Sequence, residues 1–240
     1  KGAWAQISAG LADAAYGLLI CLNNNAASAT SRGTVVDIGI GAAGSEIVLI
    51  PDLICGNAMV YSVLGSGAWY YFPVLIPAGV RVAARAQSSS ASGVNVFIQA
   101  MQRPLDPAMV KAAAFVEAIG MTLPNGQAVT AGTTAEGTWT LLGTTTRPCW
   151  SWQVGVQVTS ADTVHAANVY HIDLAVGDGT TFDILMESVM FATNTAEQSL
   201  LLSAMHRRER PLPAGSDIYA RAQASATPDA LYIAAYGAGG

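Results

Sequence analysis

The feature that most constrains this chain is that it contains one unit twice. PAGVRVAARAQSS runs from Pro77 to Ser89 and PAGSDIYARAQAS from Pro213 to Ser225, an offset of 136 with eight of thirteen positions identical. The same offset brings Val36-Asp37-Ile38 onto Ile172-Asp173-Leu174, Gly41 onto Gly177, and Val48-Leu49-Ile50 onto Ile184-Leu185-Met186. Earlier in the unit, Tyr16, Leu18 and Ile20 fall on Trp152, Val154 and Val156. Small end gaps bring Trp4 onto Trp139 and Asn95–Ala100 onto Ala230–Ala235. A register held over about seventy residues is the mark of tandem duplication.

The repeated unit reads as strands, because runs rich in β-branched and aromatic residues are bounded by Gly, Pro, Asn and Ser clusters. In the first repeat they fall near 3–9, 15–22, 33–40, 46–51, 57–64, 68–74, 79–88 and 94–101, with turn signals at Leu22–Ser28, Gly41–Ser45 and, in the second repeat, Gly177–Thr181. The expected fold is all-β: two tandem antiparallel β-sandwiches, jelly-roll-like, with a seven-stranded immunoglobulin-like sandwich as the alternative. The expected division is a first repeat at 1–101, a linker at 102–136 and a second repeat at 137–240. Within the linker, Asp106 as a cap, Pro107 at the first turn and Gly120 as a stop predict a helix over 107–119. Its stripe would be Met109, Ala112 or Ala113, Val116 and Ile119. A hairpin at Asn125-Gly126 is expected after it.

Charged residues make up 11% of the chain and hydrophobic ones 52%, against roughly 25% charged in an average soluble domain. So few charges leave a free surface poorly solvated, so much of the surface is expected to be covered by copies of the chain or by other subunits. Richness in alanine and glycine is the plainer explanation. A net charge of −5 argues against a direct nucleic-acid partner. No apolar run approaches the roughly 18 residues of a membrane helix, so no membrane partner is expected, and no basic-then-apolar leader opens the sequence at Lys1. Three cysteines, Cys21, Cys55 and Cys149, are odd in number and not equivalent between repeats, which fits free thiols in a reducing cytoplasm.

Catalytic signals are weak. His165, His171 and His206 lack paired-ligand spacing and no Cys-x-x-Cys occurs, so no metal site is expected. There is no Gly-x-Ser-x-Gly elbow, and Gly39-Ile40-Gly41 lacks the third glycine of a dinucleotide fingerprint. Gly177–Thr181 reads as a hairpin turn rather than a calcium loop. Acidic residues are not clustered among aromatics as glycoside hydrolysis would require. No enzymatic activity and no cofactor are expected.

Two features are tested by the duplication itself. Asp37 and Arg85 reappear as Asp173 and Arg221. Alternation sends Val36, Ile38 and Ile40 inward and Asp37 to the other face, with Val82, Ala84 and Ala86 inward and Arg85 and Gln87 outward. A cross-strand Asp–Arg pair is therefore expected in each repeat, fixing register and, if exposed, contributing only about 0–1 kcal/mol. A repeated ligand-binding arginine is the functional alternative. The second feature is a divergence. WYYFPV (Trp69, Tyr70, Tyr71, Phe72 and on to Val74) aligns with MHRRERP (Met205–Pro211), which carries His206, Arg207, Arg208 and Arg210. The aromatic strand is expected to be buried against a neighbouring subunit and the charged strand to meet a polar partner or solvent; both are candidate interfaces. An ordinary core strand beside an ordinary solvated one is the alternative.

The motifs IPAGVRVAARAQSSSAS (Ile76–Ser92) and LPAGSDIYARAQASA (Leu212–Ala226) resemble the β-sandwich virion proteins of tailed bacteriophages and gene transfer agents, in which a Pro-Ala-Gly turn leads into a small–Arg–small–Gln strand. The resemblance covers about fifteen residues per repeat together with the two-sandwich plan, and Pro-Ala-Gly is also simply a good turn before a strand. It implies a structural subunit for head decoration, a head-spike base or the tail, located in the virion and assembled in the host cytoplasm. Implied partners are itself, as a homo-oligomer with a trimer by analogy, and other virion proteins. A carbohydrate- or receptor-binding module, with a glycan as ligand, is the alternative. Exposed Trp69, Tyr70, Trp150 or Trp152 would favour it.

Overall fold

The computed structural model describes residues 1–25, 33–58, 67–89, 93–102, 111–159, 168–193, 207–228 and 230–240. All its regular elements are strands. The first repeat holds β1 (Ala5–Ser8), β2 (Ala15–Asn25), β3 (Thr34–Ile40), β4 (Ile47–Ile54), β5 (Gly56–Ala58), β6 (Ala68–Phe72), β7 (Val82–Ser88) and β8 (Gly93–Gln102). The connecting stretch holds β9 (Phe115–Ile119), β10 (Met121–Thr122), β11 (Asn125–Val129) and β12 (Ala131–Gly132). The second repeat holds β13 (Thr140–Thr144), β14 (Cys149–Thr159), β15 (Asn168–Gly177), β16 (Phe182–Thr193), β17 (Arg208–Leu212), β18 (Asp217–Ala224) and β19 (Ala230–Gly239).

Each repeat is a sandwich. In the first, β1-β7-β3-β4 faces a sheet in which β2 lies between β8 and β6, with the short β5 continuing the β6 edge. In the second, β13-β18-β15-β16 faces a sheet in which β14 lies between β19 and β17. Period-two alternation builds both cores. Leu18, Ile20 and Leu22 on β2 and Trp152, Val154 and Val156 on β14 are all fully buried. Ala15 bridges Ile76, and Cys149 pairs with Leu212, the motif equivalent of Ile76. Ala15 is therefore the counterpart of Cys149, and Leu18, not Tyr16, that of Trp152. A slip of two residues keeps every side chain on its face, which is why the shifted alignment still matched apolar to apolar.

The stretch between the repeats contains no helix in its described part. Asp106, Pro107 and Met109 lie outside the described residues, and from Phe115 to Ile119 the chain is a strand paired with β19. The helix-like spacing has a physical origin. In a strand, residues three apart point to opposite faces; Val116 enters the first core and Ile119 the second. A strand buried on both sides needs apolar residues on both sides, and that pattern imitates a helical stripe. The hairpin that follows turns at Leu123-Pro124, a cis peptide, with Met121↔Gly126 and Thr122↔Asn125 paired, so Asn125-Gly126 begin a strand instead of forming the turn.

Strands β19 and β14 have both faces covered. Their inner face carries Trp152, Val154, Leu231 and Ile233 into the second core, while Ala234, Tyr236 and Ala238 of their outer face belong to the first. That outer face closes the open edge of the first sandwich between β4 and β6. The two repeats thus share one sheet.

Candidate functional site

Both repeats carry the same polar device on the sheet that contains β3 or β15. Asp37 lies opposite Arg85, whose Nε donates to Asp37 Oδ2 at 2.8 Å; Asp173 lies opposite Arg221, whose Nε donates to Asp173 Oδ2 at 2.9 Å. The other carboxylate oxygen reaches a β-bulge on the neighbouring edge strand. Asp52 N–H donates to Asp37 Oδ1 at 2.9 Å and Ser188 N–H to Asp173 Oδ1 at 2.7 Å. Asp52 and Ser188 are equivalent residues, and both take a φ of 52°. The bulge puts two residues opposite one and strains the backbone there, and the aspartate satisfies the N–H it leaves unpaired. Each arginine is stacked on a tryptophan, Arg85 on Trp4 and Arg221 on Trp139, at 4.5 Å from the ring centroid in both cases.

Alternation places Asp37 and Asp173 off the core face, as expected, yet both are only 3% exposed. The tryptophan and arginine roof over them, so the pair is a covered one. In the first repeat Lys1 Nζ also donates to Asp37 Oδ1 at 2.9 Å and contacts Asp52. In the second, Glu136 pairs with Arg221 at 2.5 Å. Burial raises the Asp37 carboxyl, but the hydrogen bonds from Asp52 N–H, Lys1 and Arg85 outweigh it and hold the group below its ordinary value. Glu136 moves the other way, raised by partial burial and by the Asp173 charge. This geometry locks strand register around a strained bulge.

The divergent strand pair sits at the junction between repeats. Tyr70 and Phe72 are fully buried, with ring centroids 5.5 and 6.2 Å from Tyr236 of β19. Tyr70 Oη donates to Ile54 O at 2.7 Å. Tyr236 Oη donates to Asp52 O at 2.9 Å and accepts from Ile54 N–H at 2.8 Å. On the other side, Gln153 Oε1 accepts from Tyr71 N–H at 2.9 Å and Gln153 Nε2 donates to Tyr71 O. One phenol and one amide thus replace the missing neighbour strands along β4 and β6. The aromatic strand is covered from within the chain, by the second repeat. Trp69 and Tyr71, on the other face of β6, are half-buried; Trp69 meets Phe97 edge-on at 6.5 Å, and Arg207 lies 5.1 Å over Tyr71.

The charged strand meets solvent. Arg208 and Glu209 are exposed, Arg207 pairs with Glu209 at 2.7 Å, and Arg210 forms a forked pair with Asp183 across the sandwich edge, one arm at 2.9 Å. His206 and His165 lie outside the described residues. His171 is exposed on β15. Asp178 accepts hydrogen bonds from the Thr181 and Thr180 N–H groups and the Thr180 hydroxyl, which lower its carboxyl to about 2; Gly177–Thr181 is a hairpin turn. Trp4 and Trp139 were recognisable as equivalents from the repeat, but nothing in the pattern signals that they stack on arginine. Nothing in the local pattern distinguished Gln153 or Tyr236 from other outward-facing strand residues.

None of the three cysteines is in a disulfide. Burial, then the Glu117 carboxylate, pushes the Cys149 thiol up to about 12, and burial also raises Cys55 and Cys21. Because the thiolate is the reactive form, Cys55 and Cys149 are expected to resist a disulfide reagent at pH 8 in the folded chain and to react together on unfolding. Rapid labelling of either without unfolding, read by peptide mass mapping, would contradict this burial.

No protein-family model matches the chain, and no curated protein does. Among solved structures it is similar to PNGF-II, with 10% identity and a TM-score of 0.34, over 98% of this chain and 59% of that one. It is also similar to infectious bursal virus T=1 particles, with 13% identity and a TM-score of 0.25, over 96% and 56%. A further match is the VP2 subviral particle of infectious bursal disease virus, with 11% identity and a TM-score of 0.21, over 96% and 58%. The chain spans under two thirds of the length of each.

Proposed function

We propose that this chain is a structural subunit of a bacteriophage-type virion, in a head-decoration, spike-base or tail-associated position, that works by protein–protein assembly. The observation that carries the reading is an inequivalence. The outer face of β19 and β14, with Tyr236 and Gln153, is the face by which the second repeat docks on the first. Its equivalent in the first repeat, the outer face of β8, β2 and β6, has no such cover among the described residues. Phe97 there is 58% exposed beside half-buried Trp69, Leu19 and Cys21. A contiguous apolar face on a chain with few charges is an association surface. A trimer built through this face is the assembly proposed, with other virion proteins completing the particle.

The glycan-binding alternative needs a platform of exposed aromatics. Tyr70 and Trp152 are fully buried and Trp150 is 6% exposed, which leaves Trp69, half-buried beside Phe97. The test is light scattering across a dilution series, with Phe97→Asp alongside. The expected result is a native mass three times the 24.7 kDa of the chain, falling to the monomer in the variant. A stable monomer at all concentrations, or a trimer indifferent to Phe97→Asp, would overturn assembly through this face.

A further inference from the structure

The two Asp–Arg clusters are built alike but differ in charge. Gly2 N–H donates to Ala86 O and Gly137 N–H to Ala222 O, both at 2.8 Å, so the residues before these glycines, Lys1 and Glu136, are equivalent. In the first repeat Lys1 Nζ donates to Asp37 Oδ1 at 2.9 Å and meets Asp52, so Lys1 and Arg85 face two carboxylates. In the second repeat Ser188 stands in place of Asp52 and Glu136 in place of Lys1. Arg221 Nη2 lies 2.9 Å from Asp173 Oδ2 and 2.5 Å from Glu136 Oε2. One guanidinium nitrogen thus holds two carboxylates side by side, and one negative charge is left uncompensated among the described residues. Two carboxylates in contact resist ionising together, and a proton between them replaces repulsion by a hydrogen bond.

Glu136 ends the crossover from β12 to β13, and this crossover has little slack. A Cβ on Gly132 would meet Ala135 O, and one on Gly137 would meet Thr130 O, so its two ends are pressed together. On one side it continues into Ala131–Gly132, paired with Ala222–Gln223 of β18. On the other it leads to Trp139, stacked on Arg221 and 4.9 Å from the Phe182 ring. The groups that act on the Glu136 carboxyl are Asp173 of β15 and Arg221 of β18. Partial burial and then the Asp173 charge raise it above its ordinary value, against the opposing pull of Arg221.

We propose that Glu136 is a proton-operated latch on the second sandwich. In mild acid its carboxyl takes up one proton and donates it in a hydrogen bond to Asp173, leaving Arg221 to balance a single negative charge. The crossover is then seated on β18. As pH rises the proton leaves to water, two carboxylates share one guanidinium, and the crossover and the Trp139 roof loosen. Linkage fixes the sign: with the folded carboxyl raised, the stabilisation is complete below the unfolded value of about 4.3 and is lost as pH rises through the folded one. The first sandwich, with Lys1 at the equivalent position, keeps its cluster unchanged over that range. This inference does not depend on the virion reading.

The test is amide hydrogen exchange on the full chain between pH 5 and 8, expressed as protection relative to the intrinsic rate at each pH. The reporters are Gly137 N–H and Ser188 N–H, which bond Ala222 O and Asp173 Oδ1; Asp52 N–H, which bonds Asp37 Oδ1, is the internal control. Protection at Gly137 and Ser188 is expected to fall at least ~3-fold from pH 5 to pH 8 while Asp52 stays level. Glu136→Gln, which copies the protonated carboxyl, should hold both reporters at the acid level throughout. Glu136→Lys, which copies Lys1, should do the same. Level protection at Gly137 and Ser188 in the parent chain would overturn the proposal. So would a pH response that survives Glu136→Gln, or a loss of protection at pH 8 in both variants, which would make the Glu136–Arg221 pair a plain salt bridge.

Discussion

Replacing Tyr236 by alanine is expected to lower the unfolding free energy by about 4 kcal/mol, at the upper end for loss of a large buried side chain. Tyr236 is fully buried at the seam, edge-on to Tyr70 and Phe72, and its hydroxyl answers both Ile54 N–H and Asp52 C=O. Alanine removes the ring and strands both backbone groups. Tyr236→Phe separates the two losses: the ring stays, and the orphaned amide and carbonyl cost about 1–3 kcal/mol. Denaturant melts of the two variants measure both figures. Hydrogen exchange adds a readout specific to docking, because loosened repeats should lose protection at Ile54 and Tyr71, whose N–H groups bond Tyr236 and Gln153, before either sandwich unfolds. A Tyr236→Phe variant as stable as the parent would show that the hydroxyl does not hold the seam.

Asp173→Ala is expected to cost about 3 kcal/mol, the lower bound for breaking a covered ion pair, since Arg221 keeps some access to water. The change leaves Ser188 N–H without its acceptor at a residue of positive φ and frees the arginine on Trp139. Asp37→Ala should behave alike, because Asp52, Arg85 and Trp4 repeat the arrangement. A double-mutant cycle of Asp173→Ala with Arg221→Ala should return a coupling above the roughly 0–1 kcal/mol of a surface pair. Additive effects would reduce the pair to a surface contact. The pH dependence of Asp37 has a definite sign. Its folded pKa lies below the unfolded value of about 3.9, so its contribution is complete above that value and is lost as pH falls through the folded pKa. Asp37→Asn should flatten stability against pH in the acid range below about pH 5, where the parent declines.

The Asp–Arg pairs were legible because duplication repeated them at matching strand positions. Their burial was not, because it depends on Trp4 and Trp139, residues brought over them from the far ends of the repeats. The divergence of Trp69–Phe72 from the Arg207–Arg210 strand was legible as a difference of surroundings. That the cover of the aromatic strand is the second repeat could be known only once β19 was seen lying across β4 and β6. The connecting stretch misled for a physical reason. Local periodicity reports which residues are apolar, and β9 is apolar on both faces because it lies between two cores.

Sequence by itself determined the tandem duplication, the strand character of each repeat, the inward and outward faces, and the paired Asp37–Arg85 and Asp173–Arg221 positions. These follow from local alternation and from two copies checking one another. Tertiary structure alone decided that β14 and β19 are buried on both faces and that one edge of the second sandwich is closed by strands β11 and β12. Two repeats of one fold present equivalent faces and edges. Which of them is covered depends on long-range packing of the connecting stretch, and no local pattern encodes that choice.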